Sequence, residues 1–449
     1  MHKKSFAFQV CYLSLVLLFI SCSHDSPVMV YEQGTNENVN QWMYQQMKRY
    51  YYWNETMPNE GDLSIDPKEY FSKLLQPTDR FSYTLHLSKA ETFPQSVRGN
   101  FGFDVAFIEH GGKVYGVVLY VLADSPASRS ILKRGMLITS MNGTALNQSN
   151  YDGLYQEISS ANQLHLQLVE YNGTDFSTPI SLSISRGITL LQPLFKKVIS
   201  QNNNKVGYLA IPHFDVGLAP SLLQAFTEFK NQSITQLVLD LRYNGGGDIA
   251  SATALSILVA PTIQANDPFI TFKGNKNGGT INQSFKQALE MNETKLSYES
   301  LRNSHPSVQK VYILCGNHTA SASEIIINNL KPYMEVICIG EKTVGKDVAG
   351  FPIQDDRNPT EQGWVLYPSI YKLFNANNEG GYNAGIIPTI EVSELQQLPV
   401  LPLGDPNEVL LKEALSTITS SGRTSRVQTI RVLKKTIKSE QDPLFQITP

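Results

Sequence analysis

The 449-residue sequence predicts a multidomain α/β protein, and three shifts of pattern along the chain predict it. Residues 39–93 set aromatic and apolar side chains at three-to-four-residue spacing, which reads as a helical segment. Residues 94–186 are short apolar runs broken by Gly, Asn and Pro, a β-rich pattern. Residues 187–420 alternate strand-like with helix-like runs, the pattern of an α/β core. A hydrophobic fraction of 41% suffices for real cores. A net charge of −3 provides no general attraction for nucleic acid or an anionic membrane, so partners are sought at individual sites.

The first 22 residues read as an export signal. Lys3 and Lys4 precede an apolar stretch from about Phe6 to Ile20, the size of a signal-peptide core and short for a membrane span. The stretch closes on Leu18-Phe19-Ile20-Ser21-Cys22, which resembles a bacterial lipobox with Phe19 in the usual leucine position. The resemblance implies that Cys22 is lipidated, that residues 23–38 form a tether, and that the protein is a lipid-anchored lipoprotein of the bacterial cell envelope, periplasmic or outer-membrane. Cys315 and Cys338 are then the cysteines of the mature fold, read as buried free thiols.

In the helical segment Trp42, Met43, Met47, Tyr50, Tyr51 and Trp53 recur on one stretch. Asp66-Pro67 opens a second helix carrying Tyr70, Phe71, Leu74 and Leu75. This aromatic density is read as core packing. A glycan-binding surface is the alternative.

In the β-rich segment Asn100-Phe101-Gly102-Phe103 leads into a strand, Tyr115 to Val121 reads as the next, and Ser125-Pro126-Ala127 starts a short helix. Arg134-Gly135 then precedes a strand ending in the hairpin turn Asn142-Gly143. This order resembles a PDZ domain of the kind found with bacterial proteases. The resemblance implies peptide binding at Phe101, Gly102 and Phe103, with backbone N–H groups holding a terminal carboxylate and the peptide added as a strand.

The α/β core carries the chemistry. Leu237 to Arg242 reads as a strand ending on Asn244-Gly245-Gly246-Gly247, with a helix from Ile249. Lys273 to Ser284 reads as an exposed loop, and a last helix runs to about Ile418. Residues 421–449, with six Lys/Arg against two acids, read as a poorly packed basic tail. Ser321 follows the apolar run Val311 to Cys315 and opens a helix, a strand-to-helix turn of the kind that presents nucleophiles. Ser321 and Glu324 also fit a capping box, which is the structural alternative. Gly345-Lys346 is read as ending the next strand, which opens with the apolar run Val336 to Ile339, so an amine is available to a serine with no histidine in an obvious triad. Gly245 to Gly247 offer backbone N–H groups free of side chains for a developing oxyanion. Gly340 to Lys346 nearly matches a phosphate-binding loop, but Asp347 stands where that loop needs Ser or Thr, so no nucleotide is expected. No Cys/His cluster has zinc spacing, and neither metal nor cofactor is expected.

Leu239-Asp240-Leu241-Arg242-Tyr243-Asn244-Gly245-Gly246-Gly247, Thr319 to Glu324 and Gly340 to Lys346 together resemble the carboxy-terminal processing (tail-specific) serine proteases over about residues 99–418. The step from Ser321 to Lys346 matches that family's nucleophile-to-base spacing. The resemblance implies a crotonase/Clp-like core of ββα superhelix type and a Ser–Lys dyad of Ser321 and Lys346 assisted by Glu324. The oxyanion would rest on the amide of Ala322 and one from Gly246 or Gly247. Substrates would be proteins or peptides. Asp347 and Thr389 depart from the family pattern, and Asp347 stands close enough to alter the lysine's electrostatics. A non-catalytic exported peptide-binding lipoprotein on a protease-like scaffold is the alternative function.

Overall fold

The computed structural model describes residues 31–93, 97–187, 194–201, 204–293, 295–358, 363–419 and 431–435. Cys22 and the expected signal segment lie outside these residues. No helix among the described residues is long and apolar enough to cross a membrane.

The N-terminal helix Asn36–Tyr50 begins earlier than the expected tether allows, because the Thr35 side chain accepts from the Asn38 N–H and caps it. The second helix, Pro67–Leu74, starts where Asp66-Pro67 foretold, with the Asp66 carboxylate accepting from the amides of Lys68 and Glu69. Trp42, Met43, Met47, Tyr51, Tyr70 and Phe71 are buried between the helices, and Trp53 packs partly buried beside them. That burial supports packing over a glycan surface. The unit is not self-contained, however. Tyr83–His86 pairs antiparallel with Trp364–Tyr367, and Trp364 and Leu366 complete the aromatic core. Pairing with residues so far along the chain, Tyr83 with Tyr367 and His86 with Trp364, leaves no local sequence signal.

The second unit is a seven-stranded sheet whose main path is antiparallel, with the helix Tyr151–Ser160 packed on one face. A helical turn, Val97–Phe101, precedes the strand Phe103–His110, where an extended entry was expected. Ser125-Pro126-Ala127 forms turns and no helix, since Asp124 takes φ 59° and the Ala127 amide is donated to the Phe101 carbonyl. The Asn142-Gly143 turn forms as read, with φ 47° and 80°, between Leu137–Met141 and Thr144–Ala145. The tail differs most from expectation. Residues Arg431–Lys435 form a strand that pairs antiparallel with Phe103–His110 and ends this sheet.

The third unit holds a six-stranded sheet in which Asn204–Ala210, Gln236–Asp240, Lys310–Cys315 and Glu335–Gly340 run parallel in that spatial order. Helices Ala219–Asn231, Ile249–Val259 and Ala322–Leu330 supply its largest apolar core. The second of these helices is buried from Ala250 to Val259, and the strands of the sheet are near-continuous apolar runs, as sheets covered on both faces require. The helix Val409–Ile418 covers the opposite face. The segment Lys273 to Ser284, read as a loop, is half of a hairpin: Pro268–Lys273 pairs with Thr280–Ser284. The polar Thr280 and Asn282 and the apolar Ile281 are exposed on this edge strand, and Gly, Asn and Lys fill the turn before it, so composition alone mimicked a loop. Cys315 and Cys338 are buried and unpaired.

Candidate active site

Parallel strands Lys310–Cys315 and Glu335–Gly340 point their C-terminal ends at one edge of the sheet, and the two loops leaving them build the site. Ser321 initiates the helix Ala322–Leu330 with φ 52° and ψ −115°, outside the regions open to a residue with a side chain. Such geometry costs about 1–3 kcal/mol and persists only where surroundings impose it. The imposition is visible. The Ala320 amide donates to the Asn244 carbonyl at 3.1 Å, the Thr319 hydroxyl donates to the Leu241 carbonyl at 2.8 Å, and the Ser323 hydroxyl donates to the Asn244 carbonyl at 3.1 Å. Ser321 stays half-buried at the mouth while the helix behind it is buried.

Glu324 is the hub. Its Oε2 accepts from the backbone N–H of Ser321 at 2.9 Å and of Lys346 at 2.8 Å. Its Oε1 accepts from the Thr343 hydroxyl at 2.5 Å and the Gly345 amide at 2.7 Å. The bonds Glu324 makes to Ser321 and Lys346 here therefore go to their main chains. Burial pushes the Glu324 carboxyl up to about 7, with these four donors pulling the other way. Lys346 lies on the loop beyond the strand, which ends at Gly340 rather than at the lysine. Desolvation draws its amine down to about 8, although part of the side chain faces a cavity; the charges of Glu324 and Asp79 oppose the shift. Asp347, expected to weigh on the lysine, is instead neutralised by Lys372 at 2.6 Å.

The glycine run lies against Ser321. A Cβ on Gly246 would stand 2.7 Å from the Ser321 Cβ, so only glycine fits there. The Gly246 amide, one of the expected oxyanion donors, is already donated to the Asn244 Oδ1 at 2.8 Å. The amides of Gly247 and Ala322 have no hydrogen-bond partner among the described residues. Those two remain available to an anion, and Gly246 serves close approach.

Sequence reasoning missed the residues brought from the helical unit. Arg80 donates to the carbonyls of Val344 at 2.8 Å and Asn383 at 3.0 Å, clamping the lysine loop. Phe81 packs with Ala320, Val344 and Val348, and its ring centroid lies 5.8 Å from the Lys346 Nζ. A cavity of about 140 Å³ beside Lys346 is lined by Phe81, Tyr83, Val348 and Tyr367. A second missed contact joins the β-rich unit to the loop before Ser321: buried His318 Nε2 meets Asp104 Oδ2 at 3.0 Å. Thr343 and Asn244 lay inside motifs already singled out, and their hydroxyl and amide were the available signal.

The expected peptide-binding residues are placed differently. Phe101 and Phe103 have fully buried side chains in the core of the β-rich unit, and the Gly102 amide is donated to the Arg98 carbonyl at 2.9 Å. These three residues present no side chain to a ligand, and the Gly102 amide is spent.

Comparison with known proteins agrees with this architecture. Residues 205–392 match the model for Peptidase family S41, and residues 38–83 match the Peptidase S41 N-terminal domain. The carboxy-terminal processing protease CtpB of Bacillus subtilis is 24% identical over 356 residues, spanning 78% of this chain and 68% of that protein. The tail-specific protease of Haemophilus influenzae is 26% identical over 210 residues, 45% of this chain and 26% of that protein. A crystal structure from Bacteroides fragilis, assigned as an S41 protease, superposes with a TM-score of 0.69 at 27% identity, covering 85% of this chain and 98% of that one.

Proposed function

Because the chain belongs to peptidase family S41 and is a serine-type peptidase, we propose that Ser321 and Lys346 form its catalytic dyad, acting on unfolded segments of exported proteins in the bacterial cell envelope. The observation that carries this is the single Glu324 oxygen to which the main chains of both residues are tied. In this mechanism Ser321 Oγ attacks the scissile carbonyl while neutral Lys346 takes its proton. Lys346 then passes that proton to the leaving amine, and it activates the water that hydrolyses the acyl-enzyme. The oxyanion rests on the Ala322 and Gly247 amides, where loss of one donor typically costs about 2.7–4 kcal/mol. A lysine at about 8 is neutral in a usable fraction of molecules near neutral pH, which an ordinary lysine is not. The cavity between Phe81 and Tyr367 is sized for a modest apolar side chain of the substrate.

The β-rich unit has the PDZ-like role of receiving the substrate. Its receiving element is the strand Phe103–His110, to which an extended segment adds as a further strand. Cys22 carries the lipid that tethers the enzyme. Cleavage of a disordered protein with an apolar C-terminus, by the purified chain beside its Ser321→Ala and Lys346→Ala forms, tests the dyad. Cleavage by the parent alone is expected, and undiminished cleavage by either variant refutes it. The non-catalytic alternative loses ground because Ser321, Glu324 and Lys346 are all present and joined.

A further inference from the structure

The strand Phe103–His110 is written like a central strand. Residues 103–108 are buried, and the run Val105-Ala106-Phe107-Ile108 carries no charge. A strand of this kind left at a sheet edge exposes a row of unpaired N–H and C=O groups beside an apolar surface. In the structure the edge is covered, and the cover is the chain's own tail. Ile108 faces Val432, Glu109 faces Arg431, and Phe107 and Ala106 face Lys434 and Lys435, antiparallel. Leu433 packs on the core beneath the helix Tyr151–Ser160, while Val432 packs on the other face of the sheet. The run toward Lys435 heads for the Phe101-Gly102-Phe103 turn, the direction in which a bound peptide is expected to point.

Among the described residues the hold is short: a strand of five residues with a register shift between Phe107 and Ile108, the partly buried side chains of Val432 and Leu433, and an ion pair, Arg431 to Glu109 at 3.3 Å, whose arginine is 73% exposed. Exposed pairs of this sort contribute little. A cover so weak on an edge that needs one is exchangeable. The geometry points to residues 431–435 as an internal competitor that occupies the substrate-receiving edge until an incoming segment displaces it. The inference rests on the reading of that edge given above. It also names the segment that displaces the tail best: extended polypeptide with a basic residue opposite Glu109 and an apolar residue at the register of Leu433. Because the Gly102 amide is spent and the tail crosses the edge as an internal segment, a free carboxylate is not required.

The test uses the full chain. With Ser321→Ala to prevent cleavage, binding of a labelled synthetic peptide copying residues 427–439 is measured for the native tail, Leu433→Asp and Arg431→Glu. If the tail closes the edge about nine-tenths of the time, releasing it tightens apparent binding about tenfold. Leu433→Asp is expected to approach that value and Arg431→Glu to produce a smaller gain. Read with a peptide carrying Glu in place of that Arg, Glu109→Arg alone opens the edge and binds tightly, and adding Arg431→Glu restores the tail's attraction and returns the closed state. In the Ser321 background the same substitutions raise kcat/KM for a disordered protein in the same order. Peptide binding equal in all forms overturns the inference. Tightened binding without cleavage by any form, the parent included, supports competition at the edge and counts against the peptidase reading alone.

Discussion

The main chains of Ser321 and Lys346, 25 residues apart in sequence, donate to the same carboxylate oxygen of Glu324, at 2.9 and 2.8 Å. This arrangement fixes where the two side chains start from, because the carboxylate accepts from three main-chain amides and the Thr343 hydroxyl. A direct pair with Lys346 would hold its amine charged and remove the base. Glu324→Gln keeps the size but turns an NH2 group toward two of four donors. Each buried group left unsatisfied costs about 1–3 kcal/mol. The expected result is a fall in kcat of roughly 10²-fold with KM little changed, and a lower midpoint in urea unfolding. Parent-like kcat would show that the carboxylate is only a helix cap.

As the proposed base, Lys346 is expected to set the pH profile. Its folded value of about 8 lies below the ordinary 10.5, so the amine loses its proton, and becomes a base, as pH rises through about 8. The rate constant kcat/KM is expected to climb with unit slope to a plateau above that point. For stability the same shift has the opposite sense to a gained partner: the folded state binds fewer protons, so stability rises between pH 8 and 10.5. Asp79 raises the lysine's value, and Asp79→Asn should move the ascending limb to lower pH. A limb that stays in place would separate Asp79 from the base.

Gly246→Ala tests the close approach beneath the nucleophile. The added Cβ would stand 2.7 Å from the Ser321 Cβ on a backbone with φ 114°. Loss of more than about 10²-fold in kcat is expected as the nucleophile turn shifts, with the fold retained by circular dichroism. Retained activity would mean that the turn yields without cost.

The Asp104–His318 contact ties the strand Phe103–His110 to the loop that ends in Ser321. Both side chains are buried, so a double-mutant cycle of Asp104→Ala and His318→Ala is expected to return a coupling of about 1–3 kcal/mol in unfolding free energy. The two single variants are also expected to lower kcat several-fold. Additive effects would place the pair outside any joint role.

What could be read from the sequence was what is local. The apolar runs at Val311 to Cys315 and Val336 to Ile339 announce parallel strands, Asp66-Pro67 announces a helix start, and Asn142-Gly143 announces a hairpin. Ser321 and Lys346 were visible because each follows such a run. The rest depends on partners far along the chain. Arg80 reaches Val344, Tyr83 stacks on Tyr367 with ring centroids 4.5 Å apart, and Arg431 meets Glu109. The division of labour among the glycines was equally hidden, since it turns on the Asn244 side chain accepting the Gly246 amide. So was the positive φ of Ser321, which its surroundings impose and its residue type disfavours.

The central claim is that Ser321 is a nucleophile made reactive by Lys346. Reaction with a fluorophosphonate probe, followed by mass spectrometry of the labelled peptide, addresses it directly. The account predicts one adduct per chain, on Ser321, forming faster as pH rises through about 8 and falling to background in Lys346→Ala. An adduct at another residue, or labelling of Ser321 undiminished without Lys346, would contradict it.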